Sequence, residues 1–205
     1  MRKSLFSALL GALASVALTF SMAMPHTASA RSMHEHDSTL SQKVASQGTV
    51  EVAFAPNEGA ESLVIRAIDS AHTQIRMLAY NLTSPPIVDA LIAAHDQRHV
   101  EVHVIADLKA NTTEDFHGVA RIALNRLAAA HIDVRVISAY SLQHDKLLII
   151  DDETTQTGSF NYTLGAAHLN SEYVMVNWNN RPLAQVFVGH FLRNYQQSVP
   201  YSTVQ

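Results

Sequence analysis

The chain has 205 residues, 47% of them hydrophobic and 16% charged, with 14 basic and 18 acidic side chains and a formal charge of −4. That balance excludes a disordered chain, and the absence of cysteine excludes both a disulfide framework and a thiolate zinc site. A net acidic chain also lacks the broad basic surface by which most nucleic-acid binders hold a phosphate backbone, so any polyanion site must be local.

Residues 1–30 read as a signal peptide. Arg2 and Lys3 form a positive start, Leu5 to Phe20 is apolar and small, Pro25 breaks the run, and Ala28-Ser29-Ala30 is an A-x-A cleavage signal. The apolar stretch approaches spanning length, so an uncleaved anchor is the competing reading. Cleavage implies a periplasmic or secreted protein with no stable membrane association. It removes two basic residues and no acidic one, leaving 12 basic, 18 acidic and a formal charge of −6. Residues 31–47 are polar and aperiodic, as expected of a flexible mature N-terminus. His34, Glu35, His36 and Asp37 have metal-ligand chemistry, but nothing there fixes a coordination geometry.

Residues 48–205 read as a single domain. TVEVAFA, from Thr49, alternates as a strand does. Leu63, Val64, Ala67, Ile68 and Ala71 then recur at helical spacing. IRMLAYNL is near-continuously apolar, which suits a strand covered on both faces. Ser84-Pro85-Pro86 opens a helix that turns Ile87, Val88, Leu91 and Ile92 inward. VEVHVIAD is a further strand, followed by a helix over Val119–Ala130. IDVRVI, HDKLLIID, a short TQTGSF and EYVMVNW read as strands, with a short helix within Asn161–His168 and a last one over Leu183–Tyr195. Strands alternating with helices imply a layered α/β/α sandwich with a mixed, largely parallel central sheet. His99 and His103 have helical metal-ligand spacing but sit in a strand pattern, so no metal site is expected from them. Tyr80 and Trp178 could stack on bases, yet aromatic residues at strand ends more often pack in a core or an interface.

The segment HDKLLIIDDETTQTGSFN, residues 144–161, holds the chemistry. Lys146 is the only Lys or Arg between Val136 and Asn180, and an ammonium in an apolar strand is costly unless it is paired. On a strand, His144, Lys146, Leu148 and Ile150 face one way and Asp145, Leu147, Ile149 and Asp151 the other. His144 and Lys146 then lie about 6–7 Å apart at the root, close enough to share an anion. Asp151, of opposite parity, is expected to brace the structure. Gly158 permits a close backbone approach or an unusual turn. Ser159 can cap the following helix, and Ser159 and Asn161 can donate to phosphate oxygens.

His144-x-Lys146-x4-Asp151-x6-Gly158-Ser159-x-Asn161 resembles the HKD motif of the phospholipase D superfamily. The resemblance runs over roughly Val50 to Tyr195. AYNLTSPPIVDALIAAH, VEVHVIAD and Asn170-x-Glu172 are similar to the small, single-motif bacterial endonucleases of that superfamily. Gln143 stands where such proteins often have methionine, and Leu147 where an aromatic is common. The resemblance implies a phospholipase D-like fold and a two-histidine mechanism, in which one histidine attacks phosphorus and the other protonates the leaving oxygen. This chain carries one motif, so a homodimer sharing its site is implied. His144 and Lys146 are the implied catalytic pair, Glu172 the acidic group that orients the histidine, and Lys146, Ser159 and Asn161 the phosphate ligands. Asp151 and Gly158 are structural members of the motif. No cofactor and no metal are expected, and activity should persist in EDTA and follow a bell-shaped pH curve.

The function expected first is sequence-nonspecific cleavage of nucleic acid, of DNA and with RNA left open, by phosphodiester hydrolysis through a phosphohistidine. The alternative is a phospholipase D-type lipid phosphodiesterase, which the acidic charge favours slightly. A nucleic-acid-binding module with a dead site is a third reading, against which the intact motif argues.

Overall fold

The structure is a computed structural model that describes residues 41–115 and 117–204. Residues 1–30, expected to be a signal peptide, and residues 31–40, with His34, Glu35, His36 and Asp37, lie outside the described residues. Eight strands form one sheet: β1 (Thr49–Ala55), β2 (Gln74–Ala79), β3 (Glu101–Asp107), β4 (Asp133–Ile137), β5 (Lys146–Ile150), β6 (Thr154–Gly158), β7 (Glu172–Trp178) and β8 (Val199–Pro200), in the spatial order β1-β7-β6-β5-β2-β3-β4-β8. The helices are α1 (Ala60–Asp69), α2 (Pro85–Arg98), α3 (Val119–Ala129), α4 (Leu164–His168) and α5 (Arg181–Gln197). A π-helical turn spans Lys109–Thr113 and a 3-10 turn spans Tyr201–Thr203. Among the described residues no helix is long and apolar enough to cross a membrane.

The layers follow from side-chain parity. Leu148 and Ile150 of β5 join the core formed with Leu63, Val64 and Ile68 of α1, Leu91 of α2 and Leu124 of α3. Leu147 and Ile149 point the other way and meet Ala184, Val188 and Phe191 of α5. Two apolar faces on one strand thus require helices on both sides of the sheet, and each fully buried leucine or isoleucine contributes about 2 kcal/mol. Ser84 caps α2 as expected, its Oγ accepting from the Ile87 N–H.

The sheet is mixed, but it is not largely parallel. Only β2–β3 and β3–β4 pair in parallel, through the crossover helices α2 and α3. The pairings β5–β6, β6–β7, β7–β1, β2–β5 and β4–β8 are antiparallel. The physical reason is connection length: Asp151–Glu153 is too short for a crossover helix and can only fold β6 back on β5. Asp151 and Asp152 make that turn with φ of 52° and 58°.

Helix α5 leaves one part of its face of the sheet bare. Val50, Val52 and Phe54 of β1 and Tyr173 of β7 are about half exposed, and Phe54 pairs directly with Tyr173.

Candidate active site

Strand register brings the motif residues together. Lys146 opens β5 opposite Ala79, the last residue of β2. Leu147 pairs with Thr157, Gly158 with Val174, and Glu172 with Ala55. Lys146, Gly158-Ser159 and Glu172 therefore share one end of the sheet, where parallel strands β2, β3 and β4 also terminate. That is the end at which open α/β sheets bind ligands.

His144 precedes β5 rather than lying within it, so strand alternation does not set its distance from Lys146. Its carbonyl does: the Lys146 Nζ donates to His144 O at 2.8 Å. The His144 ring is exposed and lies 4.7 Å, centroid to centroid, from the Tyr80 ring. The same Tyr80 ring sits under the Lys146 ammonium, 5.1 Å away. Burial pushes the Lys146 amine below its ordinary value, while the Asp145 and Glu172 carboxylates pull it back up. Tyr80 thus touches both members of the pair, whereas Trp178 ends β7 away from the site and donates to Glu51.

Gly158 is where β6 presses on β7. A Cβ there would lie 2.2 Å from the Tyr173 carbonyl oxygen, so only glycine fits. Ser159 does not cap a helix. Its N–H donates to Tyr173 O and its Oγ accepts from the Tyr173 N–H at 3.1 Å, leaving the hydroxyl proton available. The cap of α4 is Thr163, whose Oγ1 accepts from the Ala166 N–H, because the chain stays extended through Asn161 to reach Leu82. The Asn161 Oδ1 is buried without a hydrogen-bond partner, as is the Gln143 Oε1. Glu172 accepts from the Asn170 amide at 3.3 Å, and its field reaches Lys146.

Asp151 lies at the opposite end of β5. Its carboxylate accepts from the N–H groups of His72, Thr73 and Gln74 and from the Thr73 hydroxyl. Burial alone would raise its pKa, but the backbone bonds from Gln74, His72 and Thr73, with the Thr73 hydroxyl, hold it below the usual aspartate value. These bonds tie the end of β5 to the chain that enters β2. His99 and His103 are remote: His99 ends α2, and both ring nitrogens of His103 face carboxylates, of Asp133 and Glu101.

Polar residues that sequence reasoning missed, some of them buried, hold the loops around His144. Asp107 accepts from the Gln143 N–H at 2.9 Å and from Ala110. Asn111, fully buried, accepts from the Leu82 N–H and donates to Tyr80 O and Asp107 O. On the other face, Asp145 Oδ2 accepts from Gln143 Nε2 at 2.8 Å and meets His190 Nε2 at 2.9 Å. The Gln143–Asp107, Leu82–Asn111, Tyr80–Asn111 and Asp145–His190 pairs join residues distant in sequence, so spacing carries no signal for them. The exception is the π-helical turn, whose geometry often marks functional positions once it is seen.

Comparison with known proteins gives a consistent result. Residues 64–195 match a family profile described as "Cardiolipin synthase, PLD-like domain". A protein named phospholipase D from Rickettsia conorii is 32% identical over 147 residues, 72% of this chain and 70% of its own length. The phospholipase D of Rickettsia prowazekii is 32% identical over 70% of this chain, which spans 66% of that relative. Among solved structures, Nuc from Salmonella typhimurium, a phospholipase D family member, superposes with a TM-score of 0.72 at 40% identity, covering 76% of this chain and 99% of its own. The chain belongs to the phospholipase D superfamily and is a phosphodiesterase of the hydrolase class.

Proposed function

We propose that the protein is an exported, sequence-nonspecific endonuclease that hydrolyses nucleic-acid phosphodiester bonds without a metal ion, at a site shared between two copies of the chain. The observation that carries this reading is the convergence of His144, Lys146, Ser159 and Asn161 at one end of the sheet. Support for the nuclease branch comes from the 40% identity to Nuc, whose chain is spanned nearly end to end.

In this mechanism an imidazole nitrogen of one His144 attacks phosphorus. The N–P bond forms as the bond to the leaving oxygen breaks, and that oxygen takes a proton from the second copy's histidine. Water then attacks the phosphohistidine, gives its proton to the second histidine, and releases a phosphomonoester. Lys146 supplies positive charge to the phosphoryl oxygens, Ser159 a hydroxyl donor and Asn161 amide donors. Glu172 orients a histidine and, after Asp145, adds negative charge that favours the ammonium form of Lys146. A rim of exposed apolar side chains surrounds this end, with Leu142 two residues before His144, Leu169 just before Asn170, and the paired Phe54 and Tyr173. That rim suits a second copy whose own His144 faces the first.

The same rim favours a second reading, a lipid phosphodiesterase, because apolar groups around a phosphate site also suit a bilayer surface. The Rickettsia relatives carry the name phospholipase D. One assay separates the two: mature protein in EDTA is given plasmid DNA and phosphatidylcholine vesicles, beside a His144→Ala control. Nicking by the wild type alone supports the nuclease, and choline release without nicking supports the lipid enzyme. Activity lost in EDTA and restored by a divalent ion defeats the metal-free mechanism. Leu169→Arg is expected to yield an inactive monomer in sedimentation, and a monomer that still cuts DNA defeats the shared site. Export is tested by N-terminal sequencing, with Arg31 expected first.

A further inference from the structure

We propose that the Asp145–His190 pair is a clamp that sets the position of His144 and Lys146 for phosphoryl transfer. The proposal rests on reading those two residues as the phosphodiesterase site. Asp145 stands between them in sequence but points to the opposite face, toward α5. Its Oδ2 accepts from Gln143 Nε2 at 2.8 Å and from His190 Nε2 at 2.9 Å, and its carbonyl accepts from the Tyr80 N–H at 3.0 Å. Tyr80 is the residue whose ring lies against both His144 and Lys146. The turn before β5 is therefore tied at every residue from Gln143 to Lys146, and His190 is what ties it to α5.

The surroundings of His190 fix its tautomer. Its Nδ1 lies 3.3 Å from an Arg193 guanidinium nitrogen, which can only donate. The Asp145 carboxylate, which can only accept, lies 2.9 Å from Nε2 and so calls for the proton there, in agreement with Nδ1 accepting from Arg193. The Asn194 amide nitrogen, 3.4 Å from Nε2, donates instead to the His190 carbonyl at 2.9 Å. Helix α5 is itself anchored, because Val188 and Phe191 pack on Leu147 and Ile149 of β5. A rigid helix thus holds, through one imidazole, the carboxylate between the two reactive residues.

Both partners of the pair are more than a third exposed, at 35% and 41% of the side chain, and such pairs contribute little to folding stability. Positioning and stability can therefore be told apart. The charged and titratable groups facing Lys146 are Asp145, Glu172, Tyr80 and His144. Those facing His190 are Asp145 and Arg193.

The test uses the full mature chain, bis(p-nitrophenyl) phosphate as a small diester, and EDTA throughout. His190→Ala should lower kcat about tenfold to a hundredfold with KM little changed, the size expected when reacting groups drift by about 1 Å. Its melting midpoint should stay within about 2 °C of wild type. His190→Gln, whose amide can donate to Asp145, should recover most of the loss. Asp145→Asn should lower kcat and also move down the high-pH limb at which Lys146 deprotonates, since Lys146 loses the stronger of the two carboxylates that favour its charged form. The limb should stay in place in His190→Ala, where the carboxylate remains. Wild-type kcat in His190→Ala overturns the clamp, and so does a loss that His190→Gln fails to recover. Equal inactivity of wild type and His144→Ala overturns the site itself and the clamp with it, so the two failures are distinguishable.

Discussion

At the far end of β5 the Asp151 carboxylate is filled by the protein's own donors, with the N–H groups of His72, Thr73 and Gln74 and the Thr73 hydroxyl all directed to it. At the near end Lys146 gives a hydrogen bond to the His144 carbonyl, and Asn161 Oδ1 is buried with no hydrogen-bond partner. Both ends belong to one motif and one strand. The difference separates two kinds of polar residue: an acceptor filled by the chain holds the fold, whereas donors with hydrogens to spare, the Lys146 ammonium and the Ser159 hydroxyl, remain for phosphate oxygens.

The comparison breaks first at His144. Its ring is exposed, so His144→Ala should lower diester hydrolysis by at least about a thousandfold while the melting midpoint stays within about 2 °C. Calorimetry beside a rate measurement checks both. A variant that retained rate would remove the near end from the chemistry.

Lys146→Met comes next, with an expected loss of roughly a hundredfold to a thousandfold in rate. Its stability should be unchanged or higher at neutral pH, because burial holds the folded amine below its ordinary value of 10.5. Between the folded value and 10.5 the unfolded chain binds more protons, so wild-type stability rises with pH through that window. The gap between wild type and Lys146→Met in urea unfolding should close there.

Asp151→Asn should do the reverse. It should cost about 1–3 kcal/mol of stability, at the low end because the group is only half-buried, and leave the rate near wild type below the melting transition. The folded carboxyl lies below its ordinary value of 3.8. Its contribution is therefore full above 3.8 and is lost as the pH falls through the folded value. Acid titration of unfolding should bring wild type and variant together. A variant that kept its stability but lost its rate would invert the roles of the two ends.

The smallest effect is expected of Gln143→Met. The backbone bond from residue 143 to Asp107 survives, and an unpartnered buried carbonyl is removed along with the bond to Asp145. A rate within about threefold of wild type in the same diester assay sharpens the assignment of the Asp145 tether to His190 rather than to Gln143.

Much of this was legible in the sequence where a period existed to be read. TVEVAFA and EYVMVNW form strands over the whole stretches quoted, because alternation reports a half-covered sheet face. The opposed packing of Leu148 and Leu147 follows from the same rule. The balance of parallel and antiparallel pairing was not legible, since it depends on which neighbour a strand finds. Nor was β8, whose Val199–Pro200 pairing with Val136 and Arg135 has no pattern of its own. Within the site, Lys146, Gly158 and Ser159 came from spacing. Tyr80, Asn111 and His190 did not, because each acts across a gap in sequence that only the folded sheet closes.

That gap has a consequence for when the chain could become active. The segment around His144 is tethered to Asp107, 36 residues before Gln143, and to His190, 45 residues after Asp145. No local stretch can arrange the reactive groups alone, so a nascent or translocating chain should be inert until its last long helix has docked. Contacts of such sequence separation form late and slowly. Under the function proposed above, a cell that exported this chain before it folded would have its own nucleic acid protected by the order of assembly.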